Sequence, residues 1–358
     1  MKSCFAIFFL FILGASCESP VDDGAQVPQN VSDAGVNSLF GPTNSDAGSA
    51  AVTEMDAGAS LNCDEDSDGY EGPQCNGDDC DDTDPLIHPQ ARERCSFIDE
   101  NCNDSNNEFL DCAFIAAGPF DLYRVDPFKP EIEWLSNVQP AGETGGMLDI
   151  DIDTEGHLVA VKKNGLYALD DDGELVATGG FEDENGATVT LSTFTNGMAI
   201  NSSGTLFLTD SEEDRSVTPY ESAAAAHNVQ SQTGVISLLG SLTPFVSSGD
   251  CVALKNDSIL MTARLPSDQD GTDLLVFVDS DTAQTTLIGD TGYGRIFGLS
   301  ASFGLLFGVT EDAKVLKINA ETGASELLLD CGEEDVSGCP QPPAGEDRVR
   351  FWGAANGD

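Results

Sequence analysis

Asp64, Asp66 and Asp68 stand at alternate positions in the run Asp64-Glu65-Asp66-Ser67-Asp68-Gly69-Tyr70. Carboxylates spaced in that way converge on one hard cation when the chain wraps around it. Gly69 then supplies the sharp turn that brings the Tyr70 backbone carbonyl round as a further oxygen ligand. A second acidic run, Asp78-Asp79-Cys80-Asp81-Asp82-Thr83-Asp84, can close the sphere if disulfides draw it near, with Asp79, Asp81, Asp82 and Asp84 as candidate ligands. A third stretch, from Asp99 to Glu108, repeats the alternate oxygens as Asp99, Asn101 and Asn103. Its neutral amides bind cations less strongly than carboxylates, and Asp104 stands where the turn favours glycine, so a weaker second site is expected there. The chemistry on offer is capture of a hard divalent cation, calcium first and another divalent metal second.

The elements that must position these oxygens are unusual. Residues 62–112 hold six cysteines (Cys63, Cys75, Cys80, Cys95, Cys102 and Cys112) among sixteen acids and two arginines. Too few large apolar side chains remain for a self-sufficient core, so disulfides and metal must take its place in a small irregular module. Cysteine spacing alone selects no pairing among the six. Downstream, Cys331 and Cys339 flank an acidic, glycine-containing loop and can pair with each other. That leaves Cys251 in a strand-like run as a buried free thiol, with no histidine nearby to activate it as a nucleophile.

The first run resembles the opening half of an EF-hand calcium loop, although its twelfth position is Cys75 where an EF-hand carries a bidentate Glu. Taken together, DEDSDGY, DDCDDTDPLIHPQARERC and DENCNDSNNE resemble the metal-binding motif of MopE-type bacterial surface proteins and the calcium-wrapping type 3 repeats of thrombospondins. Asp79 to Pro85, Pro89, Glu93 to Cys95 and Asp99 to Cys102 follow the motif in order. The MopE resemblance implies copper as an alternative metal. Copper, however, favours imidazole, thiolate or thioether, and the chain has only His88, His157 and His227, widely separated. His88, between Ile87 and Pro89, reads as a surface turn residue.

Charge and the N-terminus bound the setting. With 63 acidic against 15 basic side chains, the net charge of −48 excludes nucleic acid as a partner and repels anionic membranes. Met1-Lys2 precedes the apolar run Phe5 to Leu13, too short to span a bilayer and suited to an export signal. Gly14-Ala15-Ser16-Cys17 resembles the lipobox of bacterial lipoproteins, which implies lipidation at Cys17, a signal peptide over 1–17, and an outer-membrane or cell-surface location. Ordinary cleavage with release of a soluble protein is the alternative. Residues 18–61 are rich in Ser, Ala, Gly and Asp, with Asp-Ala-Gly recurring at Asp33, Asp46 and Asp56, and are expected to form a disordered, extended acidic linker. The membrane is then met through the lipid alone.

From about residue 113 to 358, apolar runs of strand length recur in sets between Gly, Asp and Asn turns, without a helical stripe. One set runs Met147–Ile150, Leu158–Val161, Leu166–Leu169 and Leu175–Ala177; others begin at Gly197, Cys251 and Phe297. Units of four short strands at this spacing predict an all-β propeller. Four sets are visible, and Phe351 to Ala355 offers an inner strand whose partners, Asp121–Asp126 and Ile132–Leu135, sit at the domain's other end. Joined, they give five blades, with six as the alternative count and a β-sandwich as the alternative fold. The Ala223–Ala226 run before His227 reads as loop or a turn of helix.

Asn196-Gly197-Met198-Ala199 and Leu206 to Asp210 resemble a blade of gluconolactonase-like propellers. That resemblance implies a metal-dependent lactonase or hydrolase, with Asn196 and Asp250 at the metal, but the family's Glu has no counterpart here. The chain has no Gly-x-Ser-x-Gly elbow, no HExxH and no phosphate loop. The expectation is therefore a non-enzymatic surface binder: lipid anchor, tether, calcium-stiffened module, and a propeller that holds an unknown protein or glycan. The acidic loop from Asp330 to Asp347 is a candidate contact surface.

Overall fold

The computed structural model describes residues 62–138, 145–162, 165–170, 173–189, 194–214, 221–230, 234–268, 271–332, 336–343 and 346–356, with the backbone alone at 194–196, 210–214 and 221–230. The expected signal peptide, Cys17 and the linker lie outside the described residues. No helix among the described residues is long and apolar enough to cross a membrane.

Residues 62–112 form an irregular module whose one regular element is a 3-10 turn at Pro73–Cys75. Three disulfides lace it, Cys63–Cys75, Cys80–Cys102 and Cys95–Cys112, and a fourth, Cys331–Cys339, closes the downstream loop. Cys251 is free and buried. Backbone bonds cross the module where strands would otherwise do so, as from Asp79 N to the Glu71 carbonyl and from His88 N to the Glu100 carbonyl.

The remainder is all-β and propeller-like. Among the described residues, short apolar runs pair antiparallel into five four-stranded sheets. The strands in chain order are β1 (Phe114–Ala117), β2 (Asp121–Asp126), β3 (Glu131–Asn137), β4 (Asp149–Ile152), β5 (Leu158–Lys162), β6 (Gly165–Leu169), β7 (Leu175–Gly180), β8 (Phe194–Ile200), β9 (Thr205–Asp214) and β10 (Glu221–Gln230). They continue with β11 (Ile236–Ser241), β12 (Val246–Ala253), β13 (Ile259–Arg264), β14 (Leu274–Val278), β15 (Thr285–Asp290), β16 (Ile296–Ser302), β17 (Leu305–Thr310), β18 (Lys314–Ile318), β19 (Ser325–Asp330) and β20 (Gly353–Ala354). Four sheets take consecutive strands, β4–β7, β8–β11, β12–β15 and β16–β19, and the last joins the chain's two ends in the order β20-β1-β2-β3.

The first strand of each sheet touches the first strand of the next: β4 meets β8, β8 meets β12, β12 meets β16, β16 meets β20, and β20 returns to β4. These inner strands approach so closely that a Cβ on Gly249 in β12 would stand 1.9 Å from the Ile296 carbonyl oxygen in β16. Carboxylates tie them together. Asp149 Oδ2 in β4 accepts from Met198 N in β8 at 2.6 Å, Asp151 Oδ2 from Ile200 N at 2.7 Å, and Asp250 Oδ2 in β12 from Leu299 N in β16 at 2.6 Å, each partner 49 residues further along. The same bond thus joins two of the steps around the ring, from β4 to β8 and from β12 to β16.

Two segments differ from the sequence expectation. The alanine run around residues 223–226 lies in β10, a strand and not loop or helix, because pairing with β9 and β11 on both edges outweighs the weak strand preference of alanine. Phe114–Ala117, assigned to no strand by the sequence, is β1 and pairs directly with β20, Ala116 opposite Ala354 and Ala117 opposite Gly353. Apolar packing locks this seam. Phe114, Tyr123, Phe307, Val309, Phe351 and Ala354 share one buried cluster.

The module is seated against this sheet and the β16–β19 sheet beside it. The Phe97 ring packs on Phe128 of the β2–β3 turn at 4.7 Å, and Phe128 meets Phe303 and Phe307 at 5.7 and 5.9 Å. Lys317 Nζ lies 4.5 Å above the Phe97 ring, and Asp111 pairs with Arg124 in β2.

Candidate metal centre

In the first acidic loop Asp64, Asp66 and Asp68 each use one carboxylate oxygen to hold the backbone. Asp64 Oδ2 accepts from Gly69 N at 3.2 Å, Asp66 Oδ1 from Asp68 N at 3.1 Å, and Asp68 Oδ1 from Tyr70 N at 2.8 Å. These bonds wrap the backbone, and Gly69 takes φ +99°, where a side chain is strained. From the second run, Asp79 Oδ1 accepts from Asp81 N at 3.0 Å. The other oxygen of each residue, Asp64 Oδ1, Asp66 Oδ2, Asp68 Oδ2 and Asp79 Oδ2, is shielded from solvent and has no hydrogen-bond partner. Asp79 is wholly buried as a residue.

These residues fall into two groups that share Asp66. Ligand oxygens of Asp64, Asp66 and Asp68 lie within 4.8 Å of one another, as do those of Asp66, Asp79 and Asp82. Burial, reinforced by the charges of Asp68, Asp79 and Asp64, raises the Asp66 carboxyl above the ordinary range, against the hydrogen bond from Asp68 N. Buried, unpartnered anionic oxygens are costly. A cation removes that cost, so the residues present fit a metal.

The other sequence candidates are placed as follows. Asp82 is buried and braces the loop, accepting from Glu65 N at 3.0 Å and from the Gln74 amide. Asp81 and Asp84 cap local turns, accepting from Thr83 Oγ1 and Leu86 N, and belong to neither group. Tyr70 stacks its ring on His88 at 4.7 Å and 9° between planes.

The loop from Asp99 repeats the backbone bonds of the loop from Asp64. Asp99 Oδ2 accepts from Asp104 N at 2.7 Å as Asp64 does from Gly69 N, and Asn103 Oδ1 from Ser105 N at 2.9 Å as Asp68 does from Tyr70 N. Asp104 takes φ +67° in the place of Gly69; aspartate tolerates this left-handed region better than most residues. Glu108 is a member that sequence reasoning left out. The Asn103 amide bonds one of its oxygens, and the other is buried without a partner. Its carboxyl is held below the ordinary range by Asn103 first, then its own backbone N–H and Asn101. The signal was available in outline, since Glu108 is the one acid near the end of that loop. Glu93 anchors the loop from outside, accepting from Asn101 N and Asn107 N at 3.1 and 2.7 Å.

Around the ring's inner strands, Asp250 is fully buried and occupied. Its oxygens accept from Cys251 N and Leu299 N, both at 2.6 Å, and its carboxyl also bonds that of Asp149. Burial first, then hydrogen bonding and proximity between the pair, raises Asp149 well above its ordinary value; burial pushes Asp250 and Asp151 up to about 7. These carboxyls tie strands together. The side chain of Asn196 lies outside the described residues.

Residues 79–108 match the family model described as Cu-binding_MopE, a "Putative metal-binding motif". No match was found among curated proteins. Similar solved structures include a gluconolactonase from Xanthomonas campestris, 12% identical over 62% of this chain and 77% of that one, with a TM-score of 0.42. An auxiliary nutrient binding protein from Bacteroides ovatus is 10% identical over 60% and 54% of the two chains, TM-score 0.37. A protein of unknown function from Bacteroides caccae is 11% identical over 67% and 76%, TM-score 0.36. At this level of likeness no activity transfers from them.

Proposed function

We propose that this is an exported, surface-held protein whose Cys- and Asp-rich module takes up calcium, and whose ring of five sheets, read as five blades, presents a ligand- or partner-binding surface. The observation that carries the metal is the set of four buried, unpartnered carboxylate oxygens on Asp64, Asp66, Asp68 and Asp79. Calcium is favoured because the donors are hard oxygens, while the softer alternatives are spoken for. All six module cysteines are in disulfides, and His88 is stacked on Tyr70 with Nδ1 3.0 Å from the Pro89 carbonyl. Asp64, Asp66, Asp68 and Asp79 would hold the ion in the first loop, and Asp99, Asn103 and Glu108 a weaker one in the second. The ion supplies charge compensation and rigidity. Export agrees with four disulfides in an acidic chain, and an anchor at Cys17 would leave 18–61 as the reach between membrane and ring.

Calorimetric titration of the oxidised protein with calcium, magnesium and copper tests this reading. Calcium uptake with a dissociation constant of roughly 10⁻⁵ to 10⁻³ M, in or near the range of extracellular sites, is expected. Copper uptake without calcium uptake would overturn the metal assignment.

A further inference from the structure

The module's cation loops are connected to the ring by an unbroken series of contacts. Asp79 adjoins Cys80, whose disulfide to Cys102 fixes the first cluster against the second loop. Tyr70, which ends the first loop, stacks on His88, and His88 N donates to the Glu100 carbonyl at 2.9 Å. The Glu100 carboxylate is buried and accepts from Ser96 Oγ at 2.8 Å and Arg94 N at 3.2 Å. Ser96 N donates to Asn107 Oδ1 at 2.9 Å, and the next residue, Phe97, is the ring packed on Phe128 and capped by Lys317. Phe128 in turn contacts Phe303 and Phe307, and Phe307 stacks on Phe114 of β1 at 5.8 Å. The series therefore ends at the seam where β1 meets β20.

What keeps Phe97 in place is a module with little core of its own. Leu86, Ile98 and Phe109 are exposed, so the turn that presents Phe97 relies on the disulfides and on compensation of the crowded carboxylates. Without a cation, the unpaired oxygens of Asp64, Asp66, Asp68 and Asp79 repel one another within that same unit.

Resting on the calcium reading above, we propose that cation binding in the module fastens the ring's closing seam through Phe97. The module is then a cation-dependent clasp, and the ring is fully closed only where the ion is plentiful enough to fill the site. Energy flows both ways, since what the ion adds to the seam the seam returns as affinity.

The chain carries its own reporters. Its two tryptophans, Trp134 in β3 and Trp352 just before β20, both lie in or beside the closing sheet, and the module has none. Thermal unfolding of the full protein, followed by tryptophan fluorescence with and without calcium, reads the seam; calorimetry reads uptake. At about 100 times the dissociation constant, calcium should raise the wild-type tryptophan transition by roughly 5–10 °C. Phe97→Ala should bind calcium with little change in stoichiometry and show less than half that shift, and Lys317→Gln a smaller loss of the same kind. Calcium uptake by the wild type with no shift would overturn the clasp and leave the calcium reading standing. A full shift in both variants would also overturn it, because the coupling would then bypass Phe97. No uptake at all would remove both readings.

Discussion

Asp79, from the second acidic run, places its carboxylate beside that of Asp66, from the first, and each leaves one buried oxygen unpartnered. Two stretches, one inside the loop closed by the Cys63–Cys75 disulfide and one beyond it, thus supply one candidate site. Asp79→Asn should weaken calcium binding by roughly 10-fold or more, since it replaces an unpaired anionic oxygen with a neutral amide. Asp84→Asn, at a turn cap outside both groups, should change it by less than about twofold. Calorimetric titration of the two variants separates the residues that converge from those that only share the composition.

The Cys80–Cys102 bridge, with a sequence separation of 22, sets Asp79 against the loop from Asp99. Closing a loop of that length is worth about 3 kcal/mol in the chain-entropy account. A Cys80→Ser, Cys102→Ser double variant should lose calcium affinity at both loops and become sensitive to proteolysis between residues 80 and 102. Limited proteolysis with and without calcium, read by mass spectrometry, checks this. Cleavage should be faster than in wild type and less well protected by the ion.

Asp149 and Asp250 bond each other among the inner strands, and both, with Asp151, are raised chiefly by burial. An acid raised on folding holds its proton in the native state after the unfolded chain has lost it. For Asp250 and Asp151 the contribution to stability therefore declines from about pH 4, the unfolded value, up to about pH 7, and is level above that. Exposed acids such as Asp279, lowered mainly by Thr282, run the other way, so the wild-type profile is a sum. The difference between wild type and Asp250→Asn isolates the pair. At pH 4 to 5 the variant should be less stable by about 1–3 kcal/mol, because one buried N–H loses its acceptor, and the gap should narrow as pH rises to 7. Urea unfolding at several pH values measures it; a gap that widens with pH would show the sign to be wrong.

The propeller-like repeat was legible because short apolar runs recur between polar residues: Leu158–Val161 and Leu166–Leu169 fall on β5 and β6, Leu175–Ala177 on the first half of β7, and Met147–Ile150 overlaps β4 by two residues. What escaped was decided by pairing. The alanine run of β10 has no strand signal of its own, and Phe114–Ala117, assigned to no strand, finds its partner in β20 from the far end of the chain. The acidic loops were visible in their Asp spacing. The division of labour within each carboxylate was not, because which oxygen braces the backbone depends on the fold of the loop. Glu108 was passed over for a related reason, its place depending on contacts with Asn103 and Asn101 that spacing does not reveal.

Phe351 is fully buried, with its ring edge-on to Tyr123 at 5.3 Å, while Phe109 is fully exposed. Phe351→Ala should destabilise the closing sheet by about 3–5 kcal/mol, the usual range for a core phenylalanine. Phe109→Ala should stay within about 0.5 kcal/mol of wild type. Urea unfolding followed by the tryptophans compares the two directly.

The most direct test of the metal centre is anomalous diffraction from crystals of the oxidised protein grown in calcium. A single dominant peak surrounded by Asp64, Asp66, Asp68 and Asp79, with a weaker one between Asp99 and Glu108, is the predicted result. A dominant peak elsewhere, or none at these carboxylates with calcium well above millimolar, would contradict the account.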